Sequence, residues 1–220
     1  MDAKGLQKLI DSGEGRFLEF KKKADHPDKI VREMVAFANS GGGTLLLGVE
    51  DSGKIYGLSN PDEEKFVMEA ALNRYVKPEI QPDLEKIPVG SGKWVLKYRI
   101  NDGKEKPYYW LEDREKGRFA VYVRSGEQSL RASYEMYRIL RGQRIDNQNP
   151  LVIGETESLL FSVLADGSST SIPAFVKICG RSRKKISGLF ISLVLNGVLD
   201  IEAGNGLDLF QLSENYLREQ

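Results

Sequence analysis

The segment from Asp28 to Glu50 constrains the fold more than any other part of this chain. Its first half predicts an amphipathic helix over residues 28–39, with an apolar stripe of Ile30, Val31, Met34, Val35 and Ala38. Glycines at 41–43 end that helix, and residues 44–50 follow as a strongly apolar run. A run of this kind predicts a buried strand that is covered on both of its faces.

The order of these elements bears on what the glycines do. A phosphate-binding glycine loop follows a strand and opens a helix, because the N-terminal N–H groups of the helix point at the anion. Here the glycines follow a helix, so the negative end of the helix dipole faces them. The pattern favours a helix stop with a tight turn over a P-loop or a dinucleotide-binding fingerprint. Close approach of the backbone to a nucleic-acid phosphate stays open as the alternative.

The remaining periodicities divide the chain into two predicted domains. The first covers residues 1–140 and is α+β. Its further helices are predicted over 4–11, 62–75 and 133–140, and its further strands over 16–23, 84–88, 93–100, 107–110 and 118–124. Ser52-Gly53 predicts a hairpin turn with a return strand at 54–57. Residues 141–150 are polar and aperiodic, which predicts a linker.

Residues 151–220 form the second predicted domain. Three helices start near Thr156, Ser171 and Ser182, each with apolar residues at helical spacing. Two short strands, 198–202 and 207–212, flank a glycine-rich turn. Three helices followed by a hairpin is the arrangement of a small winged helix-turn-helix domain.

Composition excludes several classes of protein. The chain has 32 basic and 32 acidic residues, so any nucleic-acid surface must be a local patch. The single Cys179 and the single His26 exclude an internal disulfide, a cysteine-based zinc site and a Ser-His-Asp or Cys-His triad within one chain. The apolar run 189–195 is too short to span a membrane, and the N-terminus has no apolar signal core. We therefore expect a cytoplasmic protein without a membrane partner.

Basic residues cluster at the start of the third helix of the second domain. A recognition helix places its N-terminal residues against base edges and phosphates. The predicted DNA contacts here are Arg181, Arg183, Lys184, Lys185 and Ser187, joined in the first domain by Lys22, Lys23 and Arg124. The predicted wing carries Asp200, Glu202 and Asp208 but no lysine or arginine. The alternative is a solvated face on a module that mediates protein contacts.

Three carboxylates in the first domain are candidate metal ligands. Glu19 and Asp51 meet if strands 16–23 and 44–50 are neighbours, and Glu14 must reach them around the bend at Gly15. Hard cations such as Mg²⁺ prefer oxygen ligands. In the alternative, Glu19 pairs with Lys21 on its own strand, and Asp51 makes a turn bond to its own backbone.

Several of these motifs, in this order, resemble the Schlafen AlbA-type DNA-binding domain over roughly residues 4–140. They are Glu14 with Glu19-Phe20-Lys21, Ala36-Phe37-Ala38-Asn39 with Gly41-Gly42-Gly43, Gly48-Val49-Glu50-Asp51, Lys106-Pro107-Tyr108 and the segment 121–126. The resemblance implies an α+β fold and nucleic-acid binding. In bacteria and archaea this domain often precedes a winged helix in predicted transcriptional regulators. RNA-cleaving animal members use two glutamates and an aspartate at positions that match Glu14, Glu19 and Asp51.

Three functions follow as hypotheses, and whether the chain is an enzyme stays open. The first is a DNA-binding transcriptional regulator without a certain cofactor, whose partner is nucleic acid, DNA rather than RNA. A homodimer is expected, because palindromic sites favour two-fold proteins. The second is a metal-dependent nuclease for RNA or DNA. In it Glu14, Glu19 and Asp51 hold Mg²⁺ or Mn²⁺ as catalytic residues, and Lys21 steadies the phosphate. A protein-interaction module is the third, blander alternative.

Overall fold

The computed structural model describes residues 1–113, 115–142 and 154–218. The chain divides into two compact units, Met1–Arg131 and Ala132–Gln220. The helices are α1 (Ala3–Ile10), α2 (Pro27–Asn39), α3 (Pro61–Tyr75), α4 (Tyr134–Gly142), α5 (Glu155–Leu164), α6 (Ile172–Cys179), α7 (Arg183–Leu195) and α8 (Glu214–Arg218). The strands are β1 (Leu18–Lys21), β2 (Gly43–Leu47), β3 (Val76–Lys77), β4 (Asp83–Pro88), β5 (Trp94–Ile100), β6 (Tyr109–Asp113), β7 (Arg118–Ala120), β8 (Tyr122–Ser125), β9 (Gln128–Arg131), β10 (Leu199–Glu202) and β11 (Leu209–Leu212).

A mixed sheet organises the first unit. Its strand order is β1-β2-β5-β4, with β1 parallel to β2 and the other neighbours antiparallel. Side chains of α2 and α3 share one apolar core with β2 and β5, and α1 contributes to a second core with β1 and β4. The predicted α+β class is therefore confirmed. Strand pairing also places β1, which carries Glu19, directly beside β2.

The glycines after α2 make a tight turn into β2. Gly42 has a φ of +86°, and a Cβ there would lie 2.6 Å from the carbonyl oxygen of Ile100. A Cβ on Gly43 would lie 2.2 Å from the ring of Phe37. Only glycine fits both positions, because Gly42 lies against the backbone at the end of β5 and Gly43 lies against a side chain of α2. The structural role predicted for residues 41–43 is present.

Asn39, the last residue of α2, ties two further chain segments to the helix. Its Nδ2 donates to the carbonyl oxygens of Tyr108, at 3.0 Å, and of Tyr122, at 2.9 Å. Its Oδ1 accepts the backbone N–H of Tyr108 at 2.8 Å. Because the buried Asn39 amide bonds to residues at the starts of both strands, it fixes where β6 and β8 begin.

The second unit begins one helix earlier than the sequence predicted. α4 was predicted as the last helix of the first domain, and its contacts group it with α7 in the second unit. Residues 141 and 142 of the predicted linker belong to α4, and the other linker residues, 143–150, lie outside the described residues. The predicted return strand 54–57 is only an isolated bridge between Val49 and Ile55.

Helices α5, α6 and α7 and the β10–β11 hairpin enclose the core of the second unit. Phe190 on α7 is its centre, with ring centroids 5.6 Å from Phe175 and 4.8 Å from Phe210. A short connection with Gly180 in the left-handed conformation (φ +65°) joins α6 to α7. In the parts of the chain that the structure describes, no helix is both long and apolar enough to cross a membrane.

Candidate nucleic-acid interface

A buried ionic cluster joins three layers of the first unit. The side chain of Arg124 on β8 has 0% exposure, and its Nη1 lies 3.1 Å from Glu19 Oε2 on β1 and 3.1 Å from Glu33 Oε2 on α2. Its Nη2 donates to the carbonyl oxygen of Gly15 at 2.7 Å. The guanidinium carbon lies 4.8 Å from the centroid of the Phe37 ring. We call Arg124, Glu19 and Glu33 the buried ion cluster.

This environment corrects the prediction that Arg124 contacts DNA. A guanidinium without exposed surface cannot reach a phosphate, and its fixed partners hold it in the core. Sequence reasoning missed Glu33, although a signal existed. Glu33 lies on the apolar face of α2, between Ile30 and Phe37, where an acidic residue requires a buried cationic partner.

Both carboxylate oxygens of Glu19 contact cationic side chains of the first unit. Oε2 pairs with Arg124, and Oε1 accepts from Lys21 Nζ, as the alternative interpretation of the sequence proposed. Lys21 also donates to the carbonyl oxygen of Phe20 at 2.8 Å. Lys21 and Glu19 therefore both have hydrogen-bonding partners within the first unit.

Glu14 lies at the bend before β1. Its Oε1 accepts the backbone N–H of Phe20 at 2.8 Å. Partial burial raises the pKa of the Glu14 carboxyl, the Phe20 N–H opposes this, and the charges of Glu19 and Asp51 raise the pKa further. Asp51 itself is exposed. Over the described ranges, no group of three or more histidine, cysteine, aspartate or glutamate side chains has the arrangement of a metal site.

Lysines surround one aromatic ring on the surface of the first unit. Lys22, Lys23 and Lys93 place their ammonium nitrogens 4.7, 5.3 and 5.2 Å from the centroid of the Tyr56 ring. Lys22 Nζ also lies 2.9 Å from Glu50, and this hydrogen bond raises the pKa of Lys22. Two of these lysines were predicted contacts, and Lys93 joins them only through folding. We call the three lysines with Tyr56 the Tyr56 cluster.

The first turn of α7 presents cations to solvent. Arg181, Arg183, Lys184 and Lys185 are all exposed, which their predicted contact with DNA requires. They account for four of the six basic residues that the chain carries beyond position 150. The positive end of the α7 helix dipole lies among them, so both the side chains and the helix stabilise an anion bound there.

Ser187 does not share that exposure. It is buried, and its Oγ donates to Glu135 Oε1 on α4 at 2.7 Å. The same carboxylate oxygen lies 3.4 Å from Arg183 Nη2, whose side chain is 65% exposed. The prediction that Ser187 contacts DNA is therefore corrected, because α4 covers it. Glu135 was missed, and its position on the apolar face of α4 beside Met136 and Ile139 was the available signal.

The mixed sheet backed by α2, with three lysines around the Tyr56 ring, defines a class of α+β domain that carries a local cluster of cations. The family model described as Schlafen, AlbA_2 matches residues 14–133, and the chain belongs to that family. The match spans every residue of the buried ion cluster and of the Tyr56 cluster. The family suggests nucleic-acid binding.

Two solved structures are similar to parts of the chain. The DIP2311 protein from Corynebacterium diphtheriae is 18% identical, with a TM-score of 0.41 and coverage of 62% of this chain and 25% of that one. The N-terminal domain of a RecG-related protein from Nitrosomonas europaea is 22% identical, with a TM-score of 0.42 and coverage of 69% of this chain and 99% of that one. The chain thus spans a quarter of the length of the first. No curated protein matches it.

Proposed function

We propose that the protein is a DNA-binding transcriptional regulator whose second unit contacts DNA through the first turn of α7. The observation that carries the proposal is the set of four exposed cations, Arg181, Arg183, Lys184 and Lys185, at one helix N-terminus. The nucleic-acid binding suggested by the family supports the class of partner.

The local geometry supports a helix-turn-helix function for α6 and α7. Only residues 180–182 separate the two helices, and Gly180 takes the left-handed conformation that such a short turn needs. The β10–β11 hairpin follows α7 in the order of a winged helix. Its exposed Asp200 and Glu202 disfavour phosphate contact by the hairpin, so the proposal assigns affinity to α7. A homodimer on a two-fold DNA site is part of the same proposal.

Salt-dependent binding of a duplex by the full chain tests this function. Fluorescence anisotropy with labelled duplex DNA gives the slope of log K against log salt. Each lost phosphate contact reduces that slope by about one. We expect Arg181→Gln with Lys185→Gln to reduce it by about two, while Arg218→Gln, an exposed arginine on α8, leaves it unchanged. A wild-type protein that binds no duplex, or binds with no salt dependence, would refute the proposal.

A metal-dependent nuclease is the second candidate. The observation that favours it is that the Glu14 carboxylate, which accepts the Phe20 N–H at 2.8 Å, lies close enough to Glu19 and Asp51 for their charges to act on it. In this candidate Glu14, Glu19 and Asp51 would hold Mg²⁺ or Mn²⁺, which activates water for attack on phosphorus. Lys21 would lie beside the phosphate.

The nuclease test needs a variant that leaves the fold intact. Glu19→Ala removes an anchor of the buried ion cluster, so loss of cleavage would be ambiguous. Asp51 is exposed, and Asp51→Asn keeps its size. Cleavage of folded transfer RNA or of duplex DNA in Mg²⁺ or Mn²⁺ that disappears in Asp51→Asn, with binding retained, supports the nuclease. Intact nucleic acid in every lane rejects it.

A further inference from the structure

A groove runs between α4 and α7 within the second unit. Its volume is about 580 Å³. Its lining includes three cationic side chains, Arg138, Arg183 and Lys184, with Tyr134 at one wall, and no carboxylate of the described residues. Residues 132–220 as a whole contain nine basic and ten acidic residues, so this groove concentrates positive charge in a unit that is slightly acidic.

The outer face of α4 pairs aromatic rings with arginines. Tyr134 is 57% exposed, and Arg138 lies over its ring at 5.7 Å while Nη1 donates to Tyr134 Oη at 2.7 Å. Arg141 lies over the ring of Tyr137 at 5.8 Å one turn further along. Exposed tyrosine and arginine together favour nucleic acid, because the guanidinium meets phosphate and the ring meets sugar and base surfaces.

Specific contacts hold the two walls of the groove in place. The buried Glu135 carboxylate on α4 accepts from Ser187 and pairs with Arg183, both at the N-terminal end of α7. At the other end, Gly142 packs so closely that a Cβ there would lie 2.6 Å from the side chain of Leu195. The groove is therefore formed before any ligand arrives, which reduces the entropy cost of binding.

We propose that α4 is the second half of the nucleic-acid interface, and that the groove between α4 and α7 holds a sugar–phosphate backbone of duplex DNA. Arg138 and Tyr134 on α4 contact the strand from one wall, and Arg183 and Lys184 on α7 contact it from the other. Charge complementarity selects this occupant, because three cations face the groove and, among the residues that the structure describes, no lining side chain carries negative charge. This proposal rests on the proposed function and extends it to residues outside the helix-turn-helix.

The test compares charge removal on α4 with charge removal elsewhere in the same unit. Full-length Arg138→Gln and Tyr134→Leu are measured against duplex DNA by anisotropy across a salt series. Arg218→Gln serves as the matched control, since its side chain is 75% exposed on α8. One lost phosphate contact lowers affinity by up to about eightfold at about 0.1 M salt and lowers the salt slope by about 0.9. We expect these changes for Arg138→Gln and a weaker affinity with an unchanged slope for Tyr134→Leu.

Any other outcome contradicts the proposal that the groove binds DNA. If Arg138→Gln binds as the wild type does while Arg181→Gln with Lys185→Gln binds weakly, α7 contacts DNA without α4, and the proposed function survives alone. If Arg138→Gln binds more tightly, α4 opposes binding. If the wild type shows no salt-sensitive binding, both proposals fail. Circular dichroism of each variant establishes that α4 and α7 remain folded.

Discussion

Arg124 in the first unit and Arg183 in the second both lie beside a buried glutamate, yet their surroundings differ. The Arg124 side chain has no exposure and stands between Glu19 and Glu33 at 3.1 Å from each. Arg183 lies 3.4 Å from Glu135 and keeps 65% of its side chain exposed. One arginine is surrounded by protein, and the other has a buried carboxylate on one side and most of its side chain open to water.

The difference explains what each arginine can do. A fully buried guanidinium has lost its hydration, so its free energy depends on the carboxylates beside it. Removing either side leaves a buried charge without its closest balancing charge in the core. An exposed guanidinium exchanges water for phosphate at small cost. The first unit uses its arginine to hold strands and helix together, whereas the second leaves its cations available for a ligand.

Loss of Arg124 is the largest effect that this comparison predicts. Arg124→Met leaves Glu19 and Glu33 buried without their shared cation, and we expect a loss of about 3–5 kcal/mol in the free energy of unfolding. Urea unfolding followed by tryptophan fluorescence measures it, because Trp94 and Trp110, the two tryptophans of the chain, both lie in the first unit.

An exposed arginine of the same unit is the matched control. Arg118 is 56% exposed and pairs with Glu112 at 2.8 Å. Arg118→Met should cost about 1 kcal/mol or less, as surface pairs do. Equal losses in the two variants would show that burial is not what separates the two kinds of arginine.

Gly43→Ala is expected to cost less than Arg124→Met, because the added methyl must displace one aromatic ring but removes no partner of a buried charge. The clash is with Phe37, which also lies under Arg124. Overpacking of this kind typically costs about 1–3 kcal/mol. The same fluorescence measurement applies, with Gly15→Ala as the control, since a Cβ on Gly15 has nothing within 4 Å. A loss no larger than that of the control would contradict the close packing of the turn.

The Tyr56 cluster allows the surfaces of the two units to be compared directly. Lys22→Gln with Lys23→Gln should reduce the salt slope of duplex binding by less than Arg181→Gln with Lys185→Gln does. The reason is that Glu50 already holds the Lys22 ammonium at 2.9 Å. Lys4→Gln with Lys8→Gln, on exposed positions of α1, is the control. A larger decrease in the salt slope for the Lys22 and Lys23 variant than for the α7 variant would show that the main DNA interface lies on the first unit.

The smallest effect concerns the pH dependence of Glu14. Its raised pKa means that the folded first unit binds the proton more tightly than the unfolded chain does. Binding of this proton therefore adds to the free energy of unfolding at pH values below the ordinary carboxyl range. That contribution is lost as the pH rises through the raised pKa of Glu14. Glu14→Gln keeps an oxygen for the Phe20 N–H and removes the titration.

The measurement for Glu14 is the difference in unfolding free energy between Glu14→Gln and wild type across pH. We expect the unfolding free energy of the variant to increase relative to that of the wild type as the pH rises above the ordinary carboxyl range. The difference should level off at higher pH. A difference that is constant with pH would show that Glu14 titrates normally. Tryptophan fluorescence again restricts the signal to the first unit.

The α+β class and the element pattern followed from the sequence because they depend on near neighbours. The stripe of α2, the glycine turn and the apolar run of β2 lie within about 20 positions, and each is governed by helical period or turn chemistry. The exposed cations of α7 followed likewise, because they lie off the apolar face of their helix. The predicted ligands Glu14 and Asp51 stay candidates, since proximity alone does not make a metal site.

The positions that sequence reasoning misjudged depend on distant residues. Arg124 and Glu19 are 105 positions apart, and Ser187 and Glu135 are 52 apart. An arginine or a serine near other polar residues has the same local pattern whether another element covers it or not. Glu33 and Glu135, acidic residues on apolar helix faces, were the accessible signs that a buried polar partner would come from elsewhere.

The sequence by itself determined the elements of this protein, its family motifs, and the absence of the histidine and cysteine sets that many enzymes need. Only the tertiary structure decided which charges are buried, that α4 lies along α7, and that Lys93 joins the Tyr56 cluster. The physical reason is that secondary structure depends on local backbone and side-chain preferences, whereas the hydration of a charged group depends on whichever remote segment packs against it.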